Sequence, residues 1–449
     1  MWPNSAMKRL LLTLLLLALA RPAFADKGTL SLLLDAESLA YLHEVGAPLF
    51  EAAGLAEGRV RIHIVAGNEV NAFVASNRDM YFFTGLIARA SSATEVVGVM
   101  AHETGHIQGR HLFRAAQHGE NLTLPTILGS VVGIGAMVAG AGQAGQAIFV
   151  GSQAAGLSSN LRFSRSQEQQ ADQIGVTLLD DTGYPISGLV SFFEKLKKEE
   201  SLYSKTPPAY LLTHPLTTGR MEFVKIEGQK RQPNGGARHP DDARFRRVQA
   251  KLFALSNPPA RTLRKYMRDT SVEARYAKAI AQALLAKRKE ADDMVNQLLA
   301  ESPDDAFFHE LKAQIAQDHG DMALALLHFQ KAVELAPLPL LRLQLAEVKV
   351  DQGDIENALR DLLPVRDKMP DWPRVHQRLG MAYGKLGKLG LSHLSLAEAS
   401  FLVGNKADTT YHLKVADENL AATDVEAKKR LKELQEDVER RDEDTWQNP

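Results

Sequence analysis

The 449-residue chain contains no cysteine. That excludes disulfides, thiolate metal sites and cysteine nucleophiles, so a bound metal has to be held by histidine and carboxylate groups. The absence also fits export into an oxidising compartment. Charge of one sign is lacking too. With 53 basic and 54 acidic residues the formal net charge is −1, and no global basic field points to nucleic acid. Long hydrophobic runs are scarce. The N-terminal one, Leu10 to Ala20, is too short to span a bilayer comfortably. It follows Lys8 and Arg9 and precedes "AFA" at Ala23 to Ala25, the pattern of a cleavable signal peptide, with a membrane anchor as the alternative. The expectation is a signal peptide over 1–25, export, and no lipoprotein anchor, because no cysteine follows the cleavage site.

Three further regions are expected: an α+β domain over 26–230, a linker over 231–240 ("RQPNGGARHP", rich in Pro, Gly and charge), and an all-α domain over 241–449. In the first, "RVRIHIVAG" alternates like a half-buried strand. "VNAFVAS" and "MYFFTGLI", separated at Asn77 to Asp79, read as a hairpin. Helices follow, beginning with "SSATEVVGVMAHETGH", where Ser92 and Glu95 have the spacing of a capping box. No charged residue occurs over 121–161, a stretch rich in Gly and Ala. Three readings of it stay open: packing between the catalytic helices, a mobile lid, or peripheral contact with a membrane. A small-residue helical segment beside the site is favoured over a true span, since the run is short and broken by glycine.

Pro303, Pro337 and Pro370 are spaced by 34 and 33 residues, and Gly320, Gly353 and Gly387 by 33 and 34. This is the period of the tetratricopeptide repeat, whose helix pairs bury their apolar stripes only by stacking. "HQRLGMAYGKLGK" supplies Leu379, Gly380, Tyr383 and Gly387, and "GDMALALLHFQKAVELAP" supplies Ala325, Phe329 and Ala332. A weaker unit spans Ser271 to Pro303 with Arg288 at the turn. A helix with Leu431, Leu434 and Val438 on one face suits a terminal cap. A plain helical bundle, the alternative, does not explain the coincident periods.

The chemistry is concentrated in "HETGH". On a helix His102 and His106 lie one turn apart on one face, and Glu103 sits beside them. That is the arrangement of two metal ligands and a general base. The alternative, an exposed polar helix face, conflicts with the apolar "VVGVMA" that precedes His102. A zinc site of this kind needs a third protein ligand and an open position. Glu168 in "SRSQEQQAD" can supply the ligand, and Asp172, one turn on, can accept a hydrogen bond from a ligand histidine. Taken alone, Glu168 also fits a solvated helix. His214 in "LLTHPLTTGR", with Arg220 six residues on, can approach the open side of a metal, either shielding it or stabilising an oxyanion. A buried structural histidine is the rival reading there. His63, His111 and His118 read as structural.

"HETGH", "SRSQEQQAD" and "THPLTTGR" together resemble the zinc metallopeptidase family of the CAAX prenyl protease and the heat-shock membrane protease. With the signal peptide and repeats, the architecture resembles that family's periplasmic beta-barrel assembly-enhancing branch. The resemblance implies an α+β zinc metallopeptidase domain, mainly helical with a small sheet, followed by a tetratricopeptide-repeat solenoid. It implies one Zn2+ per chain held by His102, His106 and Glu168, with Glu103 as catalytic base and Asp172 behind the ligands. His214 would take the fourth metal position and hold the enzyme latent, and Arg220 would support the site. It further implies a periplasmic protease with a chaperone-like role. Its substrates would be misfolded or stalled outer-membrane proteins, and its partners the barrel assembly machinery and the lipopolysaccharide-transport barrel protein. Three function classes stay in view: an active endopeptidase, a repeat scaffold with a silent metal site, and an integral membrane protease. In the first, an extended substrate would pair with an exposed strand at Tyr81 to Thr84 or its neighbour.

Overall fold

The structure, a computed structural model, describes residues 29–55, 58–75, 78–112, 147–151, 163–202, 208–441 and 446. The signal peptide, His118, and the uncharged stretch 121–161 apart from 147–151 lie outside them. The described residues form a small sheet and a mainly helical first domain, followed by a helical solenoid, as the repeat period and the metal motif lead one to expect.

The sheet contains β1 (Thr29–Leu33), β2 (Arg61–Ala66), β3 (Ala72–Val74), β4 (Asp79–Phe83) and β5 (Ala147–Gly151), in the order β3-β4-β2-β1-β5. β2 and β4 run parallel and the other neighbours antiparallel. Three expectations are corrected here. The run "MYFFTGLI" stops being strand at Phe83 and turns into a short helix, Thr84–Arg89. The strand bearing Tyr81 is paired on both sides, so it cannot accept a substrate strand; its neighbour β3, the other strand named in that expectation, is an edge of the sheet, as is β5. Finally, Ala147–Gly151, inside a stretch whose composition favours helix, is a strand paired with β1.

Among the described residues, seven helices accompany the sheet in the first domain: α1 (Ala36–Ala52), α2 (Thr84–Arg89), α3 (Ala93–Gln108), α4 (Arg165–Thr182), α5 (Ser187–Leu202), α6 (Ala209–Thr213) and α7 (Thr218–Arg231). α3 packs against α1, α4 and α5 and is buried along nearly its whole length. Its start departs from the expected capping box. Ser92 is the N-cap, but its side chain makes no cap hydrogen bond. Glu95 instead accepts from the Ser91 amide (2.8 Å), from Ser191 Oγ (2.7 Å) and from Lys195 Nζ (2.5 Å), tying α3 to α5.

The solenoid begins with α8 (Asp242–Ser256) and α9 (Pro259–Lys265). Phe245, Val248 and Leu252 of α8 are buried in the same apolar cluster as the first domain. Ten helices follow: α10 (Val272–Leu284), α11 (Arg288–Glu301), α12 (Ala306–Asp318), α13 (Met322–Leu335), α14 (Pro339–Gln352), α15 (Ile355–Lys368), α16 (Pro373–Lys385), α17 (Leu389–Leu402), α18 (Lys406–Asn419) and α19 (Val425–Arg440). Ala325, Phe329, Ala332 and Leu379 are fully buried between them, and Leu431 and Leu434 seal the end. Gly320, Gly353 and Gly387 take φ of 77°, 84° and 69° at the turns. In the first unit the matching residue is Ala286 (φ 56°), not the expected Arg288, which opens the next helix. The solenoid also touches the first domain further along, where Asp371 pairs with Arg61 and Arg78. No helix among the described residues is long and apolar enough to cross a membrane.

Candidate metal centre

Two helices bring the site together because glycines let their backbones meet. A Cβ on Gly105 would stand 2.6 Å from the carbonyl oxygen of Ala171, so only glycine lets α3 and α4 come this close. α4 is opened by a complete capping box between Ser164 and Gln167, and Glu168 lies in its first turn. The helix N-terminus favours the negative charge there. Asp172 follows one turn later on the same face. His214 ends α6, and Arg220 lies in the first turn of α7.

His102, Glu103, Glu168, Asp172 and His214 are all fully buried, and His106 and Arg220 nearly so. Ligand atoms of His102, His106, Glu168 and His214 lie within 4.8 Å of one another. The individual separations are informative. His102 Nε2 is 3.1 Å from His106 Nε2 and 3.4 Å from His214 Nδ1. Glu168 Oε1 is 3.5 Å from His106 Nε2 and 2.9 Å from His214 Nδ1, and Glu168 Oε2 is 3.6 Å from His102 Nε2. Ligands 2.0–2.1 Å from a tetrahedral zinc ion stand about 3.3 Å apart. These five separations, from 2.9 to 3.6 Å, scatter about that value, so the residues fit a zinc-sized cation.

The surroundings orient the ligands. Asp172 Oδ1 lies 2.9 Å from His102 Nδ1, which leaves Nε2 facing the cluster. Arg220 donates to Asp172 through Nε (2.6 Å) and a terminal nitrogen (2.8 Å), pairs with Glu168 Oε2 at 2.6 Å, and donates to the carbonyl of Pro215 at 2.8 Å. Phe163 stacks on the His106 ring at 3.8 Å and Tyr210 on the His214 ring at 4.5 Å, closing the cluster to water. Tyr210 also donates to Glu103 Oε1 at 3.4 Å. Glu103 Oε2 and His214 Nε2 are buried with no hydrogen-bond partner among the described residues.

Titration follows from this packing. Burial would raise the Glu168 carboxyl, but the charge on His214 and the bond from His102 outweigh it and hold the group well below its usual range. Asp172 is lowered for a similar reason: hydrogen bonds from Arg220 and His102 overcome its burial. Burial raises Glu103 above the ordinary glutamate value, against the opposing charges of His214 and His102. Burial holds His106 well below its usual value, whereas Asp172 and Glu168 overcome burial at His102 and raise it to about 9. The proton that His102 would then carry on Nε2 points into the gap between the ligands, where a cation would displace it.

Sequence reasoning missed two neighbours. His111, expected to be merely structural, has Nδ1 2.9 Å from His106 Nδ1 and Nε2 3.0 Å from Gln170 Oε1, so it backs a cluster histidine. No motif spacing flags it. Tyr210 was legible in principle, four residues before His214 and so on the same face of a helical turn. His63 instead meets Asp79, at 2.8 Å.

Residues 36–227 match the model of peptidase family M48. The four residues of the cluster all lie within the matched stretch. The chain is 26% identical over 343 residues to the Beta-barrel assembly-enhancing protease of Escherichia coli (strain K12), covering 74% of this chain and 69% of that one. Its counterpart in Yersinia pestis is 25% identical over 373 residues, 81% and 76% of the two chains. The mitochondrial metalloendopeptidase OMA1 of Homo sapiens is 26% identical over 177 residues, 39% of this chain and 33% of that one, a match confined to a smaller part of each.

Proposed function

We propose that the chain is a periplasmic zinc endopeptidase with a chaperone-like role, acting on misfolded or stalled outer-membrane proteins during β-barrel assembly. The observation that carries the peptidase reading is the buried set His102, His106, Glu168 and His214 with ligand atoms within 4.8 Å of one another, and the Glu103 carboxylate beside it. The names of the Escherichia coli and Yersinia pestis relatives support the setting in barrel assembly. On this reading the repeats dock on the barrel assembly machinery and the lipopolysaccharide-transport barrel protein.

The chemistry zinc supplies in such a cluster is polarisation of the scissile carbonyl and acidification of a water. The remaining work falls to the chain. Glu103, raised by burial, takes the proton of that water and returns it to the leaving amine. Asp172 fixes the His102 tautomer, and Arg220 braces Asp172 and Glu168. A substrate segment would add to the edge strand β3 by backbone pairing, so extended, unfolded segments would be preferred. His214 Nδ1 would complete the four-ligand set around the ion, and a site so closed would be latent until His214 moves away.

The latent arrangement also favours the second reading, a repeat scaffold whose metal site stays silent. Glu103→Gln and His214→Ala separate the two. In the full chain, Glu103→Gln is expected to slow turnover of an unfolded outer-membrane protein by roughly 10²–10⁴-fold with zinc content unchanged. His214→Ala is expected to raise it. Turnover untouched by Glu103→Gln removes the peptidase reading.

A further inference from the structure

A second concave site lies away from the metal cluster, where the M48 domain meets the start of the solenoid. A pocket of about 220 Å³ is walled on one side by the end of β2 and by α2, including Thr84, Gly85 and Arg89, and on the other by α8 and α9, including Phe253, Asn257, Arg261 and Lys265. Its two walls are held in register. Gln249 of α8 donates through Nε2 to the carbonyls of Ile87 (2.7 Å) and Ala90 (2.8 Å) at the end of α2.

The charge in this pocket has one sign. Arg89, Arg261 and Lys265 line it, and no Asp or Glu does. Arg89 Nε has one carboxylate, Glu199 Oε1, at 3.8 Å. Arg89, Arg261 and Lys265 are exposed at the mouth of the pocket, and neither Arg261 nor Lys265 forms an ion pair among the described residues, so both cations are open to a ligand from solvent. Both are nonetheless ordered by other contacts. Arg261 donates to Asn257 Oδ1 at 2.8 Å, and Asn257 donates in turn to the Phe253 carbonyl at 2.9 Å. The Arg261 guanidinium lies 5.6 Å from the Phe253 ring centre, and Lys265 Nζ 3.9 Å from the same centre. Burial and the neighbouring Arg261 push the Lys265 ammonium below its usual value, a cost that a bound anion would offset.

We propose that this pocket binds a phosphate group, carried by a small soluble molecule or by a lipid headgroup. Three cations from two helical layers suit a dianion better than a single carboxylate. A guanidinium fork with an ammonium beside it matches phosphate oxygens. The volume leaves room for the group that carries the phosphate. The site is independent of the metal cluster, so its occupancy bears on how firmly the solenoid is seated rather than on the peptidase chemistry.

The test uses the full chain and inorganic phosphate, titrated by calorimetry at constant ionic strength. Saturable binding with one site per chain is expected, weakened at least about tenfold by Arg261→Gln and by Lys265→Gln. Lys225→Gln, which removes an exposed charge on α7, is the control. Circular dichroism and thermal unfolding of each variant verify that the fold is kept. Sedimentation with phosphatidylcholine vesicles, with and without phosphatidic acid, distinguishes the sources. Uptake that requires phosphatidic acid and is lost in the same two variants assigns the site to a lipid headgroup. Phosphate binding without vesicle uptake assigns it to a soluble ligand. No saturable phosphate binding, or equal weakening by Lys225→Gln, overturns the proposal.

Discussion

Asp172→Asn isolates the part of the metal centre that the chain itself supplies. Asp172 accepts three contacts: His102 Nδ1 at 2.9 Å, and two nitrogens of Arg220 at 2.6 and 2.8 Å. Asparagine keeps the shape but leaves one acceptor oxygen for three donors and turns an N–H₂ group towards one of them. All three residues are buried, so the loss is not screened by solvent. Removing one partner of a buried ion pair costs about 3–5 kcal/mol, and the retained shape puts this change near the lower end. Misorienting His102 is expected to weaken metal binding by about 10–100-fold. Two assays read these effects separately. Guanidinium unfolding of the metal-free protein gives the stability loss, and competition with a coloured chelator gives the zinc affinity. If the variant binds zinc as tightly as the parent and unfolds at the same denaturant concentration, then Asp172 neither holds His102 nor anchors Arg220, and the account of the site's rigidity is wrong.

Two further predictions concern backbone geometry. Gly105→Ala places a methyl 2.6 Å from the Ala171 carbonyl oxygen. The α3–α4 pair must then part, costing about 1–3 kcal/mol and lowering zinc affinity; a chelator titration identical to that of the parent refutes the close-approach argument. Ala286→Gly relieves a left-handed alanine at φ 56°. The relief of about 1–2 kcal/mol exceeds the entropy glycine adds to the unfolded chain, so a rise in thermal midpoint is expected and a fall counts against the assigned turn.

How much of this was readable from residues alone depends on whether the signal was local. The metal helix was readable because His102 and His106 fall one turn apart, and the solenoid because proline and glycine recur at one period. Glu168 and Asp172 share a helix face, so their pairing with "HETGH" needed only that two faces meet. The signal failed where tertiary context decided. Tyr81 sits in an apolar run that reads as a strand, yet nothing local says whether that strand is central or at an edge. Glu95 has the spacing of a capping residue but is taken by Ser191 and Lys195, nearly a hundred positions away. His111 carries no spacing at all and reaches His106 only because the chain turns sharply at Arg110 (φ 51°). Ala286 occupies a place where glycine is the rule, which hid the first repeat's turn.

The seating of the solenoid on the peptidase domain rests on a buried cluster with too few cations. Lys251 Nζ of α8 lies 2.6 Å from Asp35, the N-cap of α1, 3.3 Å from Glu37 and 3.2 Å from Glu310 of α12. Arg247 pairs with Glu37 and with Asp305, and Tyr276 donates to Glu37 at 3.2 Å. Four carboxylates therefore share two cations away from water. Burial, opposed by Lys251 and reinforced by Asp35 and Glu37, raises Glu310 from 4.5 to about 7. The sign of the consequence follows by linkage. A carboxyl raised on folding stabilises the fold fully below its unfolded value, and that contribution is lost as pH rises through about 7. The shift corresponds to an effect on the order of 3 kcal/mol. Because α1 packs directly on the metal helix α3, the solenoid's seat loosens on the alkaline side in contact with the helix that carries His102 and His106. Glu310→Gln is expected to remove most of this dependence. The check is urea unfolding of the parent and variant at pH 5 and pH 8. A parent no less stable at pH 8 than at pH 5, or a variant with the same pH dependence as the parent, would show that Glu310 does not stay protonated in the fold and that Lys251 suffices for the whole cluster.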